Sequence, residues 1–248
     1  MAAVYLVTGG GRGIGAAVAR LAAKQGAAVG VNYVANASAA QAVVDEIIDQ
    51  GGKAIAIQGD MAIEADIISL FDQCEAALGP VTVLVNNAGV LDQEGSLEDF
   101  SAERITRIVE LNVTGALICA REAVRRMSTK AGGNGGSIVN ISSMAATLGS
   151  GGVYVDYAAS KGAIDSLTIG LAREVAQQAI RVNGVRPGII DTDIHASGGN
   201  PSRAIDLAHT VPMGRAGRPE EIAEAVIWLA SDKASYVTGS TINVSGGR

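Results

Sequence analysis

Seven short runs rich in β-branched residues recur along the chain, and each pair is separated by a dozen or more residues. The runs are VYLVT (4–8), AVGVNY (28–33), KAIAIQ (53–58), VTVLVNN (81–87), SIVNIS (137–142), IRVNGVRP (180–187) and STINVSG (240–246). Apolar spacing of three and four fills the gaps, as in Ile14, Val18, Leu21 and Ala22, or Val43, Ile47 and Ile48. Strand, then a segment long enough to cross over as a helix, repeated, is the pattern of a parallel sheet covered on both faces. The expected fold is α/β: one doubly wound domain over residues 1–248, with a seven-stranded parallel sheet and helices on both faces. Ligands of such sheets lie outside the carboxyl ends of the strands. Those ends are where chemistry is expected.

Composition narrows the reading. Aromatic residues make up 3% of the chain, with two Phe and one Trp, so Ala, Val, Ile and Leu must form the core. No composition shift or repeat marks a second domain; GGNGG (132–136) and GSGG (149–152) read as turns. Net charge is −6 and like charges never run longer than Arg125-Arg126 or Glu220-Glu221, which argues against a nucleic-acid partner. No apolar stretch reaches the roughly 18 residues of a membrane span, and the N-terminus runs straight into a strand-like segment without a charged leader, so a soluble, cytoplasmic protein is expected. Cys74 and Cys119 lack metal-ligand spacing and read as buried small hydrophobes.

TGGGRGIG, Thr8 to Gly15, joins the first strand to the first helix. It contains no G-x-G-x-x-G, and the absence of Gly-Lys-Ser or Gly-Lys-Thr from the chain excludes a Walker A loop. Free N–H groups and the helix dipole attract an anion at such a place, and phosphate is the natural guest. Bare backbone permits positive φ and a close pyrophosphate, and Gly15 lets the helix pack tightly. A tight βα turn without ligand is the other reading.

Thr-Gly-x-x-x-Gly-x-Gly, here Thr8, Gly9, Gly13 and Gly15, resembles the cofactor loop of the short-chain dehydrogenase/reductase family. Motifs similar to that family's follow in its order as far as VTGSTINVSGG, over nearly the whole chain. The resemblance implies a Rossmann sheet binding NAD(H) or NADP(H), with Gly11, Arg12 and Ile14 joining the loop contacts. A preference for NAD would call for a carboxylate near the end of strand two, about 20 residues past the glycines. That strand ends Asn32-Tyr33, and no Asp or Glu occurs between Gly15 and Asp45. Arg12 can reach toward a 2′-phosphate instead, which favours NADP(H) while leaving NAD(H) open. Asp60, followed by Met61, resembles the family's adenine-contacting Asp, or caps the helix starting near Glu64. NNAG (86–89) places Asn87, Ala88 and Gly89 along the cofactor by the same resemblance, or is a turn-forming cluster. Pro187, Gly188, Ile189 and Thr192, in RPGIIDT, resemble the segment covering the nicotinamide.

YAASK holds Tyr157 and Lys161 four apart, on one face of a helix. With ISS (141–143) upstream and Asn112 in LNVTG, they resemble the family's Asn-Ser-Tyr-Lys tetrad: Asn112, Ser143, Tyr157 and Lys161. A phenol ordinarily titrates near 10, and a neighbouring ammonium and an oxidised nicotinamide would favour its phenolate. The resemblance gives Tyr157 the proton transfer, Ser143 a hydrogen bond to the same substrate oxygen and Lys161 the nicotinamide ribose. It also gives Asn112 a locally opened helix supporting a water relay. Aligning ISS makes Ser142 a neighbour. Tyr154 has Ala158, not Lys, four residues on, and reads as a pocket wall or an exposed phenol.

Residues 189–215 read as a substrate lid, with His195 and His209 as solvated residues of it. The functional expectation is hydride transfer between nicotinamide and a small carbonyl or alcohol substrate, a sugar or polyol among the options. A 3-oxoacyl-acyl-carrier-protein reductase is the alternative within the family, with Arg125, Arg126 and Lys130 as the basic residues available for a carrier. A non-catalytic nucleotide sensor is the alternative of another class. Family resemblance implies a homotetramer pairing the helices around Asn112 and Tyr157, and apolar helix faces such as ALICA permit it.

Overall fold

The computed structural model describes residues 2–194 and 198–248. Strand β1 (Val4–Val7) leads into helix α1 (Gly13–Lys24), and β2 (Ala28–Tyr33), α2 (Ala37–Asp49), β3 (Lys53–Gln58) and α3 (Glu64–Leu78) continue the alternation. After β4 (Val83–Asn86) come α4 (Ala102–Val109), a π-helical stretch over Glu110–Gly115 and α5 (Ala116–Met127). The chain closes with β5 (Gly136–Ile141), α6 (Ala145–Leu148), α7 (Val155–Val175), β6 (Ile180–Pro187), α8 (Arg203–Asp206), α9 (Pro219–Ala230) and β7 (Thr241–Val244). Six of the seven strands fall within the run that predicted them, and β5 begins one residue earlier, at Gly136.

The strands form one parallel sheet in the order β3-β2-β1-β4-β5-β6-β7. Alternation along β1 decides the two layers. Val4 and Leu6 join Ile67, Phe71, Cys119 and Val175 on the α3, α5 and α7 side. Tyr5 and Val7 join Val18, Val43, Ile47 and Val226 on the α1, α2 and α9 side. Each fully buried side chain of the size of Leu6 or Phe71 contributes roughly 1.5–3 kcal/mol of transfer free energy. Both cysteines are buried in the first of these layers, and burial pushes each thiol up to about 12. Among the described residues no helix is long and apolar enough to cross a membrane.

The strand order reverses between β1 and β4, so the loops leaving their carboxyl ends diverge and open a crevice. Thr8 closes its floor. Its hydroxyl accepts from the N–H groups of Asn87 and Ala88, each at 2.9 Å, tying the glycine loop to NNAG.

Candidate functional site

The glycine loop is built from the backbone outward. Gly9 and Gly13 have φ of +62° and +51°, which L side chains adopt only with strain. A Cβ on Gly15 would lie 2.4 Å from the Gly9 carbonyl oxygen, so the first turn of α1 can sit against the loop only without one. Arg12, the residue preceding α1, provides no side-chain cap, leaving the first-turn N–H groups to another acceptor. A pyrophosphate matches that donor set. The guanidinium of Arg12 is exposed, without an ion pair among the described residues.

Besides Thr8, whose hydroxyl holds the NNAG turn, two predicted contacts are taken up by the fold. Asn32 is fully buried; its Oδ1 accepts from Gly9 N at 3.0 Å and its Nδ2 donates to the Gly59 carbonyl at 2.9 Å. Its side chain therefore supports the loop from below. Met61 is buried at 2% exposure with its sulfur 3.6 Å from Cys119 Sγ, so only its backbone can face a ligand. Asp60 does not cap α3: Ile63 precedes that helix, and the Asp60 carboxylate accepts from Ala62 N at 2.9 Å. Asp60 borders a shallow depression with Val34, Gln58 and Ser69, beside the end of β2.

A cavity of about 590 Å³ extends from the loop across the carboxyl ends of β4, β5 and β6. Ile14, Asn87, Gly89, Pro187, Gly188, Ile189 and Thr192 line it together with Ser143, Tyr157 and Lys161. The half-buried Ser143 hydroxyl accepts from Ala145 N at 3.1 Å and hydrogen-bonds the Tyr157 phenol. Ser142, which also lines the cavity, is 2% exposed and donates its hydroxyl to the Lys161 carbonyl at 3.2 Å.

Lys161 is 4% exposed, and its Nζ donates to the Ile141 carbonyl at 2.8 Å while lying 5.6 Å from the Tyr157 ring centroid. Burial lowers its ammonium to about 8, with the charge of Asp165 opposing. Burial pushes the Tyr157 phenol up to about 12, and the Ser143 hydrogen bond pulls it down. Desolvation is the larger effect on the phenol, and the Lys161 ammonium, one half of the expected pair with an oxidised nicotinamide, is directed at the Ile141 carbonyl.

The helix carrying Asn112 does open locally, as a π-helix over Glu110–Gly115. Asn112 Oδ1 accepts from Val90 N at 2.8 Å, and Nδ2 donates to the Val90 carbonyl at 2.9 Å and to Ser160 Oγ at 3.1 Å. Ser160 in turn donates to the Tyr157 carbonyl at 2.7 Å. Asn112 Oδ1 and Lys161 Nζ converge on Gly89, where a Cβ would meet them at 3.4 and 3.5 Å.

Three features had no counterpart in the sequence reading. Gly115 is one: its Cβ would fall 2.1 Å from the Met61 carbonyl oxygen, and a lone glycine inside a helical pattern is the signal that could have found it. Asp156 is another, 3% exposed at its side chain, paired with Arg104 Nε at 2.8 Å and accepting from Tyr157 N at 2.9 Å. The third is a trio that joins two residues of the cavity wall, Tyr154 and Arg203, to Glu94. Tyr154 donates to Glu94 at 3.2 Å, and Arg203 pairs with that carboxylate and stacks 5.0 Å over the Tyr154 ring. Tyr154 is thus the pocket wall of the two readings, 4% exposed. The exposed His209 ring bonds the Asp206 carbonyl and does not line the cavity. His195 lies outside the described residues.

The family model described as enoyl-(acyl carrier protein) reductase matches residues 9–248. The chain is 54% identical over 246 residues to the uncharacterized oxidoreductase YgfF of Escherichia coli K12, covering 99% of this chain and 100% of that one. It is 39% identical over 244 residues to a cis-4-hydroxycyclohexanecarboxylate dehydrogenase of Sinomonas cyclohexanicum, covering 98% and 95%. A crystal structure of a blue fluorescent protein from a metagenomic library, in complex with NADPH, superposes with a TM-score of 0.89 at 37% identity, covering 99% and 97%. Sequence, sheet order and site agree: the chain belongs to the short-chain dehydrogenase/reductase family and is an oxidoreductase of that type.

Proposed function

We propose that this protein is an NADP(H)-preferring enzyme that interconverts a small ketone or aldehyde and its alcohol, with Asn112, Ser143, Tyr157 and Lys161 as its catalytic residues. The observation that carries the reading is the Ser143–Tyr157 hydroxyl pair on the cavity wall, backed by Lys161 one turn along α7. Two hydroxyls on one wall can bond one carbonyl oxygen, which orients the substrate and polarises its C=O. The nicotinamide supplies or accepts the hydride when bound. Tyr157 delivers the proton to the substrate oxygen in reduction and removes it in oxidation. Lys161 binds the nicotinamide ribose. Asn112 holds the Val90 backbone and Ser160 so that α7 and the NNAG turn keep their spacing, and its carbonyl oxygen, close to Lys161, supports the relay that restores the proton.

NADP(H) is favoured by the acid-free stretch from Gly15 to Asp45 and by the exposed guanidinium of Arg12, which has no ion pair among the described residues. The NADPH complex of a 37% identical structure supports the same preference. A free small molecule is favoured over a carrier-bound acyl chain. Arg126 is compensated by Glu122, Asp72 and Glu75, and Arg125 by Glu122, so little basic surface is left for an acidic carrier. The relative named for a ring alcohol points the same way. Exposed Val109, Leu117 and Ile169, on α4, α5 and α7, support assembly as a homotetramer, which light scattering on eluting protein tests directly.

The deciding experiment is a panel of ketones, ketoesters and sugars run with each nicotinamide and followed by cofactor absorbance, with Tyr157→Phe alongside. The variant is expected to lose roughly 10²–10⁴-fold in kcat while binding NADPH as before. Undiminished turnover would remove Tyr157 from the mechanism, and a protein that binds NADPH yet turns over nothing would be the sensor.

A further inference from the structure

The chain holds 25 acidic and 19 basic residues, so an average patch of its surface is negative. The charged side chains lining the large cavity are of the opposite sign. Among the described residues, the charged side chains that line it are Lys161, Arg203 and Arg248, and no Asp or Glu joins them. The three cations are not equivalent. Lys161 is committed to the Ile141 carbonyl behind Tyr157, and Arg203 is neutralised by Glu94 and stacked on Tyr154. Arg248 has no ion pair among the described residues. Its Nη1 donates to a neutral group, Thr210 Oγ1, at 3.1 Å, and an oxygen of its own main-chain carboxylate, which makes no ion pair with the guanidinium, accepts from Ser245 Oγ at 3.0 Å. The backbone is thereby held and most of the guanidinium's five N–H donors are left over.

We infer that Arg248 is a specificity-determining residue that binds a carboxylate of the substrate, making the substrate class a compact oxo- or hydroxy-carboxylate. The inference rests on the reading of the cavity as a carbonyl/alcohol site. Leu91, Met144, Leu148, Val153 and Ile189 supply apolar wall for the body of such a molecule, and Ser143 and Tyr157 take its reacting oxygen. One partly buried guanidinium presents a planar fork, which matches a carboxylate in two parallel hydrogen bonds. A phosphate dianion would call for more than one uncompensated cation. The remaining anionic claimant is the cofactor itself, and the test separates the two.

Initial rates with saturating NADPH are to be compared for 4-oxopentanoate, 4-oxocyclohexanecarboxylate and 4-acetylbenzoate, each against its methyl ester, in the unaltered protein and in Arg248→Gln. At least one acid is expected to exceed its ester about tenfold in kcat/KM, and that ratio should collapse toward one in the variant through KM. NADPH affinity, read from cofactor fluorescence, should change less than twofold. Esters used as well as acids, or an acid preference that survives Arg248→Gln, overturn the inference. Loss of NADPH affinity in step with acid turnover assigns Arg248 to the cofactor and overturns it too. If no ketone is turned over, the carbonyl reading is what fails; binding of the acids to the NADPH complex, measured by fluorescence change, must then weaken about tenfold in Arg248→Gln or the inference falls with it.

Discussion

Lys161 carries the largest electrostatic cost among the site residues, because its ammonium is 4% exposed and meets one carbonyl oxygen. Its folded value, about 8, lies below the ordinary lysine value of 10.5, so the unfolded chain binds the extra proton between those limits. Stability therefore rises with pH across that window and is lost as pH falls through 8. Tyr157, raised from 10.0 to about 12, acts in the other sense but only above pH 10. Between pH 8 and 10 the unaltered protein should gain on the order of 2 kcal/mol relative to Lys161→Met. Urea titrations of both proteins at the two pH values check this. A difference that stays flat would show that the ammonium is stabilised by something other than the Ile141 carbonyl.

At the scale of elements, the joint between α4 and α5 is where packing sets the chemistry. The π-helical stretch brings Asn112 toward Val90 and Ser160, and Gly115 lets the Met61 carbonyl approach within a distance no Cβ tolerates. Gly115→Ala should cost roughly 1–3 kcal/mol by overpacking, and should lower kcat as Asn112 is displaced. Gly162→Ala is the matched control: it also lies in a helix, α7, with nothing within 4 Å of the added methyl, and should be neutral or gain up to about 1 kcal/mol. Equal effects of the two would place the cost in helix propensity and remove the steric account. The start of α7 is held in a comparable way by Arg104 and Asp156, 52 residues apart in sequence. Spacing revealed that Tyr157 and Lys161 share a helix face, and the resemblance to the family added Asn112 and Ser143 as the rest of the proposed tetrad. They revealed neither Gly115's partner nor the Arg104–Asp156 pair, since both contacts join elements distant along the chain.

For the molecule as a whole, a nicotinamide cofactor bound as proposed would span loops from β1, β4 and β6, so binding should stabilise the sheet as a unit. NADPH at about 100 times its Kd adds about 2.7 kcal/mol, on the order of 5–10 °C in Tm for a chain of this size. NADH at the same concentration should shift Tm less, and Arg12→Ala should erase the difference by weakening NADPH alone. Equal shifts in the unaltered protein would end the argument for NADP(H). By itself the sequence determined the seven-stranded parallel sheet and the glycine loop, because these follow from periodicity and backbone freedom within short stretches, while the proposed tetrad came from resemblance to the family. Tertiary structure decided the rest. Asn32 and Thr8 were turned inward to hold the loop, Tyr157 was desolvated above its ordinary value, and Arg203 was neutralised by Glu94 while the Arg248 guanidinium was left without an ion pair among the described residues. The physical reason is common to all of them: desolvation and ion pairing depend on which side chains meet across the sheet's carboxyl edge, and that meeting is encoded nowhere locally.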